Sequence, residues 1–306
     1  MVYDIIVVGA GPAGLTAAIY GRRAGKSVLI LEKETFGGQI THSPKVENYP
    51  GFRALSGMEL ADKLVEQAMD LGAELDLCTV TALRTEGDTR VVVGEGREYL
   101  GRAVIVAAGS HHRMLGLPGE EALCGHGVSY CAICDGAFHA GEDVAVIGGG
   151  NSALQEAVML SDICRSVTVV QNLGFLTGEG SLCEDIAARG NVRVILSTVV
   201  EALLGDGRLE GLSLRNTESG DVSRLDVTAA FVAIGQVPEN EPFASLCELD
   251  ERGYLASGED CLTVTEGVFA AGDCRRKAIR QITTATADGA VAALAACRYI
   301  DSLSRK

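Results

Sequence analysis

Short, uninterrupted apolar runs punctuate this chain: Ile5 to Val8, Val28 to Leu31, Ala103 to Ala108, Val144 to Ile147, Val167 to Val170, Phe231 to Ile234 and Val268 to Ala271. Most stop at or just before a glycine turn or a polar residue. They read as strands buried on both faces, the pattern of a parallel sheet covered by helices. Between them lie stretches with helical spacing: Leu15 to Ala24, residues 56–71, and an alanine-rich segment from about 284 to 301. Residues 74–108 and 192–199 predict further short strands, and Gly205-Asp206-Gly207 marks a charged hairpin. The predicted class is α/β.

The first run leads into Gly9-Ala10-Gly11-Pro12-Ala13-Gly14, a helical stretch, a second strand and Glu32. Strand, Gly-x-Gly-x-x-Gly turn, helix, strand and acidic tip are the parts of a dinucleotide-binding unit. Glycines let backbone N–H groups approach a pyrophosphate at a helix N-terminus, and the acid accepts ribose hydroxyls. The pattern returns later. Strand Val144 to Ile147 runs into Gly148-Gly149-Gly150-Asn151-Ser152-Ala153, a helix, and strand Val167 to Val170. Gly9 to Glu32 and Gly148 to Gln171 each span 23 positions, so the two units superpose without a gap. The expected architecture is therefore two Rossmann-like, three-layer nucleotide-binding domains. The copies differ at one decisive place: the second strand of the later copy ends in Gln171-Asn172-Leu173-Gly174, with neither an acid for a 2′-hydroxyl nor an arginine for a 2′-phosphate.

At 306 residues the chain is long enough for two cores. A net charge of −15 argues against a nucleic-acid or anionic-membrane surface. The first apolar run is too short to span a bilayer and ends at a glycine turn rather than a cleavage site. Cytoplasm is the expected compartment, where most of the ten cysteines would be buried thiols.

Cys131 and Cys134 stand apart from the other eight. In Tyr130-Cys131-Ala132-Ile133-Cys134-Asp135-Gly136, two thiols three residues apart at the start of a helical turn can close a small disulfide or reopen as a dithiol. A helix N-terminus stabilises a thiolate, and Asp135 lies beside the pair, able to exchange a proton with an attacking or leaving sulfur. Half a zinc site and two core cysteines are the alternatives. No second Cys-x-x-Cys follows, so no metal is expected.

In order and spacing these motifs resemble the low-molecular-weight thioredoxin reductases over essentially the whole chain. The matching stretches are Gly9 to Gly14, Glu32, Gly37-Gly38-Gln39, Glu47 to Gly51, Ala107-Ala108-Gly109, Cys131 to Asp135, Ala233-Ile234-Gly235, Gly272-Asp273 and Arg280-Gln281. The resemblance implies an FAD domain from residues 1–113 and 242–306, with a second domain, 114–241, inserted into it and carrying the cysteine pair. It implies FAD held by Gly9, Gly11, Pro12, Ala13, Gly14, Glu32, Lys33, Gly38, Gln39, Asn48, Ala108, Gly109, Gly272, Asp273, Arg280, Gln281 and Ile282. It also implies a homodimer, thioredoxin as protein substrate, and a swivel that presents the cysteines alternately to flavin and substrate. By position, Cys134 faces the flavin, Cys131 attacks the substrate disulfide and Asp135 handles the proton. The larger glutathione reductase group carries a Cys-x4-Cys pair where this chain has Phe36-Gly37-Gly38-Gln39, and is set aside.

One departure bears on the electron donor. The usual enzymes carry a His-Arg-Arg run, with another arginine soon after, where this chain has Gln171 to Leu176. It is most similar to the ferredoxin-dependent flavin thioredoxin reductases, which keep Cys-x-x-Cys and lack the NADPH clamp. Ferredoxin is the expected donor, with NADPH or NADH as the alternative and a flavin dithiol oxidase as a further one. Oxidases of that kind tend to carry His where this chain has Asp135. A non-enzymatic flavin sensor would have no need of a resolving thiol. An acidic ferredoxin needs a basic landing surface. Arg275, Arg276, Lys277 and Arg280 are the first candidates, and Arg22, Arg23 and Lys26 the second.

Overall fold

A computed structural model describes residues 1–43 and 45–303. The chain forms two compact units, one from Met1–His111 together with the segment from Val237 onward, the other from His112–Gln236.

In the first unit, strands run in the order Glu74–Leu77, Val28–Glu32, Val2–Val8, Arg97–Val106, with Val268–Ala270 also against the last, all parallel. The strand Arg97–Val106 does double duty. Its C-terminal part lies in the parallel sheet, while its N-terminal part pairs antiparallel with Thr89–Gly94, which in turn pairs with Val80–Glu86. Because strand side chains alternate sides, the run Ile5 to Val8 feeds two cores. Ile5, Val7, Ile30, Ala103 and Ile105 pack beneath helices, whereas Ile6, Val8, Leu29, Leu31, Val104 and Val106 pack on Val80, Leu83, Val92 and Phe243. Helix, parallel sheet and antiparallel meander are the three layers.

The alanine-rich helix Ile282–Leu303 lies against the helix Pro12–Arg23 so closely that a Cβ on Gly289 would sit 2.1 Å from the Ala13 carbonyl oxygen. Small residues at Ala285, Ala292, Ala293 and Ala296 permit that approach. The helix Gly57–Asp70 begins at a capping box: Ser56 Oγ accepts from Glu59 N–H, and the Glu59 carboxylate accepts from Ser56 N–H.

The second unit repeats the plan on a five-stranded parallel sheet ordered Val192–Ile195, Ser166–Val170, Asp143–Ile147, Ala229–Val232, Val128–Ser129. A three-stranded antiparallel sheet, Thr198–Leu204, Gly211–Asn216 and Val222–Leu225, packs through Leu212 and Leu214. The duplication read from spacing holds in atomic detail. Gly9 and Gly148 both have φ in the left-handed region, +107° and +128°. Each donates its N–H to the end of the neighbouring strand, at Leu31 and Val170. A Cβ on either would strike a carbonyl oxygen, that of Ala107 at 2.2 Å or of Ala233 at 2.5 Å. Among the described residues no helix is long and apolar enough to cross a membrane.

Candidate active site and cofactor cradle

The cysteine pair lies in the second unit, on a single helical turn, Ala132–Asp135. Ala132 is buried among Val144, Ala153 and Ala157, which anchors the turn, while Ile133 is 58% exposed and carries the turn to the surface. Cys131 and Cys134 form a disulfide. Cys131 is the N-cap, and its sulfur accepts the Cys134 backbone N–H at 3.2 Å. That donor favours a thiolate on Cys131 once the disulfide opens. Asp135 Oδ2 accepts from the Ser129 hydroxyl at 2.6 Å, and Oδ1 is buried without a hydrogen bond. Burial pushes the Asp135 carboxyl above its ordinary range, against the opposing effects of the Ser129 hydroxyl and His139. The remaining eight cysteines are free thiols. Cys274 is fully buried against the carbonyls of Val106 and Ala271, and burial pushes its thiol up to about 12.

In the first unit the earlier glycine turn opens the helix Pro12–Arg23, with Pro12 at its first position and Ala13 next. Gly14 must be glycine, because a Cβ there would lie 1.9 Å from the Gly9 carbonyl oxygen. Gly11 is different: nothing stands within 4 Å of where its Cβ would point. Glu32 is turned towards this turn, Oε2 accepting from Ala10 N–H at 2.8 Å and Oε1 from Lys33 N–H at 2.8 Å. Gly38 approaches Gly11 from the other side, a Cβ on it reaching Gly11 Cα at 3.0 Å. Asn48 and Gln281 meet at 3.1 Å across 233 positions of sequence, and Gln39 meets His111 at 3.1 Å. Lys33 pairs with Glu239, which also lies 3.2 Å from His111. Gly109 has φ +71° and open space above it. Gly272 and Asp273 follow the strand Val268–Ala270. Asp273 Oδ1 is buried with no hydrogen bond, and Lys277 Nζ stands 3.6 Å away. Arg280 stacks on Tyr254 at 4.1 Å and points Nε at the Asp273 carbonyl. Ile282 starts the long helix and packs on the core. A carboxyl oxygen without a hydrogen bond, a glycine helix N-terminus with open space and a buried ribose-type acid suit a dinucleotide.

The structure corrects the first basic patch. Arg275 is 2% exposed, its Nε and Nη2 each 2.8 Å from Asp288. Lys277 Nζ also reaches Asp288, at 3.0 Å. Only Arg276 of that run lies exposed. In the second patch Arg22 donates to the carbonyls of Leu71 and Lys26, and Lys26 is paired with Asp301. The first run is no free cationic face, since a buried carboxylate has claimed Arg275 and Lys277, whereas in the second Arg23 stays exposed. Sequence reasoning missed Asp288, Glu239 and Ser129 because each acts through a partner brought close only by folding.

In the second unit the Gln171 side chain is 5% exposed and lies over Gly149, where a Cβ would be 2.6 Å from its Cδ. Its amide is spent on its own loop, Nε2 donating to the Phe175 carbonyl and Oε1 accepting from Asn172 N–H, both at 3.2 Å. That loop folds back on the glycine turn, Thr177 and Gly178 both donating to the Gly149 carbonyl. Residues 171–180 include no cation. Glu179 bonds Asn151 at the start of the helix Asn151–Ser161, and the Glu218 carboxylate stands near Gly174, beside exposed Leu173 and Phe175.

Two dinucleotide-binding folds in one chain, one of them bearing a dithiol/disulfide turn, define a disulfide oxidoreductase. A family model described as pyridine nucleotide-disulphide oxidoreductase matches residues 3–289. A thioredoxin reductase of Bacillus subtilis is 40% identical over 305 residues, covering 99% of this chain and 96% of that one. A bifunctional thioredoxin reductase/thioredoxin of Mycobacterium leprae is 42% identical over 302 residues, covering 98% of this chain and 66% of that protein. The crystal structure of thioredoxin reductase from Streptococcus pyogenes superposes with a TM-score of 0.94 at 37% identity, over 98% of this chain and 99% of that one. The chain belongs to the pyridine nucleotide-disulphide oxidoreductase family, whose thioredoxin reductase branch uses FAD.

Proposed function

We propose that this protein is a flavin-dependent thioredoxin reductase, passing electrons through FAD and the Cys131–Cys134 pair to a thioredoxin disulfide, with reduced ferredoxin as donor. The observation that carries the first half is the cysteine turn, with its thiolate-stabilising N–H and its neighbouring half-buried carboxyl. Thioredoxin as substrate is supported by the names of the relatives, including one that joins reductase and thioredoxin in one chain. A homodimer belongs to the same reading and is checked by sedimentation.

FAD would be held by the Gly9–Gly14 turn, Gly272, Glu32 and the Asp273 carboxyl, with Lys33, Gly38, Gln39, Asn48, Ala108, Gly109, Arg280, Gln281 and Ile282 around them. When bound it supplies a two-electron reservoir. The chain's own work is thiol chemistry. Two electrons and a proton open the disulfide, leaving a thiolate on Cys131, to which the Cys134 N–H donates, and a thiol on Cys134. Cys131 attacks a substrate disulfide, forming a mixed disulfide and releasing one substrate thiolate, which takes the Asp135 proton. Cys134 then loses its proton to Asp135 and attacks Cys131, restoring the internal disulfide and releasing the second substrate thiolate.

Ferredoxin as donor is supported by the later nucleotide fold. Charge-assisted bonds are roughly twice as strong as neutral ones, and its loop offers a phosphate no cation, two carboxylates and a glutamine already bonded to its own backbone. A second reading, NADPH or NADH as donor, is favoured by the family description and by the intact turn Gly148 to Asn151 at a helix N-terminus. Anaerobic mixing of the flavin-loaded protein with NADPH, NADH and reduced ferredoxin in turn, followed by flavin absorbance, separates them. Bleaching within milliseconds by micromolar nucleotide would overturn the ferredoxin reading, whereas bleaching by ferredoxin alone is the expected result.

A further inference from the structure

We infer that Ser129 is a positioning residue for the thiol–disulfide step: it fixes which oxygen of Asp135 carries the transferable proton and ties that carboxyl to the backbone of Cys131. The inference rests on the reading of Asp135 as the proton-handling group.

Ser129 is 4% exposed, at the end of the two-residue strand Val128–Ser129 that leads into the cysteine turn. Its hydroxyl oxygen accepts the Cys131 N–H at 3.1 Å. Its proton has two acceptors in range, Asp135 Oδ2 at 2.6 Å and the Cys131 carbonyl at 3.5 Å. The shorter bond to a carboxylate oxygen wins by a wide margin. With Oδ2 committed as an acceptor, the proton of a neutral Asp135 falls on Oδ1, the buried oxygen that has no hydrogen bond of its own. By bridging the Cys131 N–H and Asp135 Oδ2, the hydroxyl selects which oxygen of Asp135 carries the proton.

The groups around Asp135 are few. His139, on the turn that follows, favours its charged form and is itself bonded to Glu142 at 2.9 Å. Cys124, beside the same strand, feels the Asp135 charge. The helix Asn151–Ser161 packs against the cysteine turn, and its Glu156 is a second half-buried carboxyl with an unbonded buried oxygen, pushed up to about 7 by burial alone. Glu156→Gln is therefore needed as a control to assign any limb near neutral pH.

The test measures the pH dependence of the rate at which the dithiol form of the flavin-loaded enzyme reduces an aliphatic dialkyl disulfide, whose basic thiolate needs a proton on leaving, read as free thiol formed. Comparison covers wild type, Ser129→Ala, Ser129→Thr, Asp135→Asn, the Ser129→Ala/Asp135→Asn pair and Glu156→Gln. Removing a donor to the charged carboxylate raises its pKa, so Ser129→Ala should move the Asp135 limb upward by about one pH unit. Ser129→Thr, which keeps the hydroxyl, should restore the wild-type profile. In the Asp135→Asn background the serine change should have no further effect on the profile. If Asp135→Asn keeps the wild-type limb, the reading of Asp135 itself fails. If Asp135→Asn abolishes the limb but Ser129→Ala leaves it unmoved, or slows the double variant as much as the single, Ser129 is not a positioning residue.

Discussion

The buried Asp288 carboxylate is where a single substitution should reveal most about how the cofactor loop is held. It sits on the long helix at 5% exposure and gathers four donors: Arg275 Nε and Nη2, Lys277 Nζ at 3.0 Å and the Gly272 backbone N–H at 3.0 Å. Asp288→Ala leaves two buried cations and an N–H without their shared partner, with only exposed Glu259, 3.3 Å from Arg275, and Asp273, 3.6 Å from Lys277, to compensate. Breaking a buried pair from one side costs about 3–5 kcal/mol. In a unit of about 180 residues, each kcal/mol lowers Tm by about 2–4 °C, so the expected fall is about 6–20 °C. Burial raises the Asp288 pKa, but hydrogen bonds and charge from Arg275 and Lys277 outweigh it and hold the carboxyl below its usual range. Its contribution is therefore complete above an unfolded pKa of about 3.9 and is lost as pH falls through the lower folded value. Calorimetry at pH 7 and at decreasing pH checks both parts. The gap between wild type and variant should be widest near neutrality and narrow in acid. A Tm shift under about 3 °C at pH 7 would refute the reasoning. Arg275→Glu should destabilise likewise, so it reports on this clamp rather than on partner docking.

Other outcomes follow from the same geometry. Cys134→Ser should abolish thioredoxin reduction while FAD stays bound, since it removes the resolving thiol and touches no nominated cofactor residue; full turnover would overturn the assigned order of attack. Asn172→Arg with Leu173→Arg should tighten NADPH binding more than NADH, by about tenfold or more if one charge-assisted contact forms, measured by titration calorimetry. Gly289→Ala should cost about 1–3 kcal/mol, because a backbone carbonyl at 2.1 Å from the new methyl forces the two helices apart; unchanged thermal unfolding would contradict that packing.

Much was legible before folding. The apolar runs, both glycine turns and their equal spacing depend on local backbone sterics and on which residues a sheet buries on two faces. So does the cysteine turn, where Cys131 serves as N-cap. The basic run 275–280 was misread because a charged residue in sequence is taken as solvated unless its partner is known, and Asp288 lies 13 positions away on another element. Ser129 gave no signal either, since a serine two residues before a cysteine is unremarkable until its hydroxyl is found 2.6 Å from Asp135.

By itself, then, the order of residues determined the doubled dinucleotide plan, the closely spaced cysteine pair and the absence of a cation at 171–180, because each is encoded within a few adjacent positions. Tertiary structure alone decided which cations are free, which carboxyl oxygen beside the glycine cradle lacks a hydrogen bond, how Gln171 uses up its amide, and which oxygen of Asp135 is left unbonded. Those outcomes turn on desolvation and on hydrogen-bond partners supplied by other elements, which no local pattern specifies.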